Sequence, residues 1–316
     1  MGTPEFSVPS LRMLIEEGYD VAAAVTQPDR LKGRSGKPAE PPVKQVARDA
    51  GIRVFQPEKP GDILTEVSAL AIDLCVTAAY GKILKRSFLG IPRFGTVNVH
   101  ASLLPLYRGP SPIHRALLNG DKQTGVTTML TQAGVDTGPI LLSESIGIDD
   151  NVYYTELYAK LADLGAGVLK KTIPLLLSGG LAPIPQDDAL ATYAPIVEKT
   201  DGELDFSQGA QRLVNRVRAF CEWPGAVAWI GGRKVRVYRA EAGGCPDLDA
   251  AAGTVVQVDR SASAAGTVVQ VDRGALSIKC GDNSVFRITR LQFEGGRVMD
   301  ISECWHNLPK MLDFKR

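Results

Sequence analysis

The chain has 316 residues, 44% apolar and 22% charged, with 36 Lys and Arg against 35 Asp and Glu. That length holds one large domain or two ordinary ones, and the balance excludes a disordered chain and a dominant basic or acidic tail. Cys75, Cys221, Cys245, Cys280 and Cys304 are odd in number and lack C-x-x-C spacing, which points away from a disulfide framework or zinc knuckle and toward a reducing compartment. No apolar run reaches roughly 18 residues and no basic leader precedes an apolar stretch, so a cytoplasmic protein without membrane contact is expected.

Taken in chain order, residues 8–17 read as a helix, with Leu11, Leu14 and Ile15 on one face, and 21–26 as a strand. The stretch 26–43 follows, with Gly33, Gly36, Pro38, Pro41 and Pro42 among Arg30, Lys32, Arg34 and Lys37. It is either a solvated surface loop or a basic flap at the ligand-binding edge of an open α/β sheet. Helical periods at 43–50 and 63–70 alternate with strands at 52–55, 72–78 and 96–99, the rhythm of a parallel sheet covered by helices. Two extended segments, 126–130 and 140–148, flank a turn at 133–139, and a long helix is predicted over 152–177 with Pro174 near its end.

The proline-containing stretch 183–200 reads as a linker between a first domain, 1–182, and a second, 201–316. In the second, a helix at 207–220 precedes strands at 226–230, 234–240, 253–258, 276–279 and 285–291, which suggests a small antiparallel barrel. AAGTVVQVDR occurs twice, at 251–260 and 264–273. The copies form either two strands joined by a turn, or one strand with the other copy extruded. Two units are too few for a solenoid, so the duplication reads as a tandem insertion.

Three histidines are present, His100, His114 and His306. Asn98 and His100 end a predicted strand two residues apart, so their side chains leave on one face. A neutral imidazole exchanges protons near neutral pH and an amide donates to a developing oxyanion, a pairing suited to attack on a carbonyl or formyl carbon. Asp136, in the AGVDTG turn, is either a carboxylate that orients His100 or an Asx turn. No metal spacing and no phosphate-binding glycine motif is present. Seven basic residues, Arg212, Arg216, Arg218, Arg233, Lys234, Arg236 and Arg239, stand against Glu222 alone, interleaved with Phe220, Trp223, Trp229 and Tyr238. They make either a nucleic-acid-reading surface or a solvated helix beside core tryptophans.

GTPEF at 2–6, TQPDR at 26–30, AAYGKIL at 78–84, NVHASLLPLYRGPSPIHRA at 98–116, GVTTM at 125–129, AGVDTGPIL at 133–141 and FCEWPGAV at 220–227 occur in order over nearly the whole chain. Together they resemble the methionyl-tRNA formyltransferase family. The Asn, His, SLLP and later Asp are shared with the wider group of 10-formyltetrahydrofolate-using transferases. The resemblance implies an α/β fold, a Rossmann-like formyltransferase domain followed by an OB-like β-barrel domain, acting on methionyl initiator tRNA as a monomer. It implies catalysis by Asn98, His100 and Asp136. Folate contacts are implied at Ala78, Tyr80, Gly81, Ser102, Leu103, Leu104, Pro105, Val135 and Asp136, and tRNA contacts at Arg30, Lys32, Arg34, Lys37, Arg212, Arg216, Arg233, Lys234 and Arg236. The co-substrate would be 10-formyltetrahydrofolate, with no metal.

Two features depart from that pattern. The family has a short apolar strand just before the GTPEF turn, so either Met1 is an internal methionine of a longer chain, or a sheet position beside the site strands is vacant and poor solubility and low activity are expected relative to an upstream-extended chain. The thirteen-residue duplication is the other. A sugar-nucleotide formyltransferase and a non-catalytic RNA-binding protein stay open as rivals.

Overall fold

The computed structural model describes residues 1–31, 38–243, 268–308 and Leu312. They pack as two units, Met1–Ile113 with Lys122–Asp149 and Glu156–Ile196, and His114–Asp121 with Asp150–Thr155 and Val197–Arg316. The stretch read as a linker therefore packs with the first unit as far as Ile196, while two short pieces from within 1–182 belong to the second.

In the first unit, helix α1 (Val8–Glu16) takes Pro9 in its first turn, where the missing N–H costs no helical bond. Strands β1 (Ala24–Val25), β2 (Arg30–Leu31) and β3 (Pro38–Ala39) follow, then helix α2 (Pro42–Asp49) and strand β4 (Val54–Phe55). β1 pairs parallel with β4, and Val8 and Leu11 of α1 meet Val43 and Ala47 of α2 and Ala24 in one cluster. The next elements are α3 (Leu64–Ala69), β5 (Cys75–Ala78), α4 (Arg86–Leu89), β6 (Thr96–His100), α5 (Pro112–Asn119), β7 (Gln123–Leu130), β8 (Ile140–Gly147) and α6 (Tyr154–Leu177).

A four-stranded sheet runs β5-β6-β7-β8. Only β5 and β6 are parallel in it, and the other two pairs are antiparallel. The strands read as a parallel sheet pair in parallel where they pair, β1 with β4 and β5 with β6, and the two extended segments after them add antiparallel strands, β7 and β8 being joined by a turn too short for a crossover. Leu157, Leu161, Leu169 and Ile173 of α6 are buried. The helix approaches β6 closely at Gly165, where a Cβ would lie 2.8 Å from a Val99 methyl.

The sheet is interrupted between β1 and β5. Met1 and Gly2 bridge the gap: the Met1 amine donates to Val76 O at 2.6 Å, Ala78 N to Met1 O at 3.0 Å, and Gly2 N to Val25 O at 3.0 Å. Burial lowers the pKa of that amine. Beside it lies a cavity of about 350 Å³ lined by Leu11, Leu14, Val21, Ala23, Val76 and Ile173 among others.

The second unit contains α7 (Ala210–Ala219), β9 (Ala226–Ile230), β10 (Arg233–Gly243), β11 (Val268–Val271), β12 (Leu276–Lys279), β13 (Val285–Phe293), β14 (Val298–Asp300) and α8 (Ile301–Cys304). The sheet order is β11-β12-β13-β10-β9, with β14 on the far part of β13. Alternate residues of the strands, among them Ala228, Ile230, Val235, Val237, Ile288 and Leu291, point into one core with Leu213 and Val217 of α7. Among the described residues no pair closes the sheet, so the expected barrel is observed as an open antiparallel path. The second copy of the repeat supplies β11, and the first copy lies outside the described residues.

Candidate active site

β6 presents Asn98 and His100 from the same face, as the two-residue period requires. Each is held by a different neighbour. Thr77, on β5, is in register with Asn98 and donates its hydroxyl to Asn98 Oδ1 at 2.8 Å. That bond turns the amide so that Nδ2 faces Asp136 Oδ1, 3.5 Å away. His100 is 6% exposed. Its Nε2 lies 2.9 Å from Tyr107 O and, since a carbonyl only accepts, carries the proton there. Nδ1 then faces Asp136 Oδ2 at 3.5 Å.

Asp136 occupies a left-handed backbone position, φ 52°, in the turn joining β7 and β8. Its Oδ2 accepts from Gly109 N at 2.8 Å. Gly109 has φ 115°, and a Cβ there would lie 2.8 Å from Ala194 O, so both its conformation and the close passage of the chain require glycine. Gln186 supports the same turn, donating from Nε2 to Asp136 O at 2.8 Å and to Gly138 O at 2.7 Å. Thr77, Gly109 and Gln186 were not picked out from the sequence. The parallel pairing of β5 with β6 would have pointed to Thr77, whereas nothing local marks Gln186.

An amide N–H, an imidazole and a carboxylate thus converge from β6 and the turn after β7. The arrangement suits proton handling next to a developing oxyanion. Among the described residues no group of three or more His, Cys, Asp or Glu is placed to hold a metal ion, and no helix is long and apolar enough to cross a membrane.

Residues 1–173 match the model of the formyl transferase family and residues 196–309 that of the formyl transferase C-terminal domain. A methionyl-tRNA formyltransferase of Caldanaerobacter subterraneus subsp. tengcongensis is 43% identical over 315 residues, 98% of this chain and 97% of the relative. One of Ruminiclostridium cellulolyticum is 44% identical over 308 residues, 96% of this chain and 94% of the relative. The chain belongs to the methionyl-tRNA formyltransferase family. The fold also extends to more distant proteins. An N-formyltransferase of Helicobacter canadensis, solved with folinic acid and dTDP-3-aminofucose, superposes with a TM-score of 0.63 at 16% identity, over 91% of this chain and 96% of that one. HypX of Aquifex aeolicus, solved with tetrahydrofolic acid, gives 0.58 at 15% identity, over 92% of this chain and 48% of that one.

The folate residues implied by membership of this family divide by exposure. Ala78, Tyr80, Ser102 and Leu104 are buried. Tyr80 packs with Val25, Ile63 and Phe88, Ser102 Oγ donates to Leu106 O at 2.6 Å, and Leu104 N donates to Thr127 Oγ1 at 3.1 Å. Gly81 and Val135 are exposed and Leu103 and Pro105 half-buried. Val135 is 57% exposed immediately before Asp136. Gln27 Nε2 holds Tyr80 O at 2.9 Å and so fixes the main chain at this edge.

The basic residues divide as well. Arg30 is exposed on β2, while Lys32, Arg34 and Lys37 lie outside the described residues. Lys44 pairs with Asp29 at 2.6 Å at the base of that segment, and the hydrogen bond from it is the main cause lowering the Asp29 pKa after the one from Gln56. In the second unit Arg212 is exposed on α7. Arg216 donates to Asp201 O, and burial lowers its pKa. Arg236 donates to Cys221 O at 3.0 Å and Glu222 O at 2.5 Å and lies over the Tyr238 ring. Arg233 covers the Phe293 ring at 4.8 Å. Lys234 is opposite Trp229, which is 68% exposed. Arg216 and Arg236 therefore brace loops, whereas Arg212 is exposed and Lys234 half-buried.

Proposed function

We infer that this chain transfers the formyl group of 10-formyltetrahydrofolate to the amino group of methionyl initiator tRNA. The observation that carries the reading is the convergence of Asn98, His100 and Asp136 in a chain matched nearly end to end by methionyl-tRNA formyltransferases. The residues fit a folate-type donor. The exposed apolar Val135 beside Asp136, half-buried Leu103 and Pro105, and the main chain at Tyr80 and Gly81 suit a flat ring with a hydrogen-bonding edge.

In the transfer, the neutral methionyl amine forms a bond to the formyl carbon while the bond from that carbon to the donor nitrogen breaks. The amine loses one proton, and the donor nitrogen gains one. Asn98 Nδ2, turned by Thr77, stabilises charge on the formyl oxygen. His100 handles the amine proton, and a proton arriving on its ring is held at Nδ1 against Asp136, because Nε2 already donates to Tyr107 O. We assign tRNA contact to Arg30, Lys32, Arg34 and Lys37 in the first unit and to Arg212 and Lys234 in the second. We also read the second unit as OB-like and the enzyme as a cytoplasmic monomer.

A formyl-transfer assay with methionyl initiator tRNA, uncharged tRNA and an amino-sugar nucleotide tests the reading, using the wild type and His100→Ala. Formylation of methionyl-tRNA alone, lost in the variant, is expected. Transfer to the sugar but not to the tRNA would overturn it.

A further inference from the structure

The stretch from Ile184 to Ala194 carries no recognisable motif, yet it is stitched across the site. Ile184 and Ile140 exchange both main-chain hydrogen bonds at 2.8 Å. Further along, Arg108 N donates to Thr192 O at 2.9 Å, Ala194 N to Arg108 O at 2.7 Å, and Tyr107 N to Thr192 Oγ1 at 2.8 Å. One segment thereby ties together the two loops that serve the site. One supplies Tyr107 O and Gly109 N, and the other carries Asp136.

Gln186 lies at the centre. Its Nε2 reaches two carbonyls two residues apart, Asp136 O and Gly138 O, while Oε1 accepts from Arg108 Nε at 2.9 Å. Arg108 is 2% exposed, and its Nη2 is 2.8 Å from Asp188 Oδ1, a contact of charges without hydrogen-bond alignment. Only a side-chain amide combines two donors with an acceptor in this way. A leucine of similar length would leave two carbonyls and a buried guanidinium N–H without partners.

Among the described residues, the carboxylate held by this clamp is tied firmly only to Gly109 N, whereas Asn98 Nδ2 and His100 Nδ1 are both 3.5 Å away, at the limit of hydrogen bonding. Its main-chain position therefore decides whether it engages them. We propose that Gln186, braced by Arg108, is a positioning residue for formyl transfer: it fixes the Asp136 turn and so the place of the carboxylate between Asn98 and His100. This rests on the assignment of Asp136 to the reaction made above.

A double-mutant cycle tests it, combining Gln186→Leu or Gln186→Glu with Asp136→Asn in formyl transfer to methionyl-tRNA. The Glu variant keeps the acceptor for Arg108 and turns the two donated bonds into carboxylate–carbonyl repulsion, so it carries the test if the Leu variant does not fold. In the otherwise native enzyme either change is expected to lower kcat between about 10-fold and 10²-fold, with KM for both substrates within about twofold. In the Asp136→Asn background the same change should cost nothing further. Equal losses in both backgrounds, or a rise in KM at unchanged kcat, would overturn the proposal. Wild-type turnover by Asp136→Asn alone would instead overturn the assignment on which it rests.

Discussion

The two polar regions of this molecule are held in opposite ways. Asn98 and Asp136 take their positions from groups far away in the chain, Thr77, Gly109 and Gln186, and His100 from Tyr107 in the loop that follows its own strand. On the second unit, Arg212 and Lys234 sit on one helix and one strand, with long side chains at the surface. Under the proposed function, the difference follows from what each region would have to do. Proton transfer and oxyanion stabilisation depend on distances fixed to a fraction of an ångström. Neutralising a phosphate backbone depends on the number of cations within reach and tolerates mobile ones. Side chains that share the surface but are tied down, Arg216 and Arg236, serve the fold of the second unit instead.

The contrast can be broken at several points. His100→Ala should lower kcat by about 10³-fold while leaving methionyl-tRNA affinity intact, and a parallel loss of affinity would show that the site also binds RNA. Thr77→Val keeps the shape of the strand but frees the Asn98 amide. Turnover should drop roughly tenfold with the melting temperature nearly unchanged, and full activity would mean that Asn98 needs no partner to face the site. Replacing Arg212 and Lys234 together by alanine should weaken tRNA binding severalfold and reduce the slope of log affinity against log salt by about two. An unaltered slope would remove both from the RNA surface.

The smallest effect concerns stability alone. The His114 ring stacks on Tyr154 with centroids 4.0 Å apart, and burial, with some help from Arg115, pushes its pKa down to about 4. The unfolded chain then binds the extra proton between its ordinary value near 6.5 and that lowered value. Stability from this group is complete above about pH 6.5 and drains as the pH falls toward 4, at most on the order of 3 kcal/mol. Denaturant titrations of His114→Phe should show a flatter dependence across that window, and an unchanged dependence would assign the acid sensitivity elsewhere.

Much of the first region was legible in the sequence because its decisive spacing is local. Asn98 and His100 share a face through strand alternation, and Asp136 stands out in a glycine-rich turn. Their supports were not legible, since Gln186 meets Asp136 across fifty residues and lies in a stretch that reads as a connector. The antiparallel pairing of β6 with β7 was not legible for a related reason: apolar runs reveal strands but not the direction in which they pair. For the basic surface the composition was readable and the orientation was not. Nothing in the order of residues distinguishes an arginine that grips a loop carbonyl, such as Arg236, from one left to solvent.

The left-handed backbone at Asp136 has a bearing on how such a site would decay. Glycine and asparagine occupy that conformation as readily as aspartate does, whereas most other side chains are strained there by about 1 kcal/mol or more. Exchange of the carboxylate for a neutral amide, which keeps an oxygen for Gly109 N, would therefore pass almost unopposed by folding. Only the chemistry resists it. In a lineage released from the need to formylate, this position should be among the first to drift, in copies that still fold.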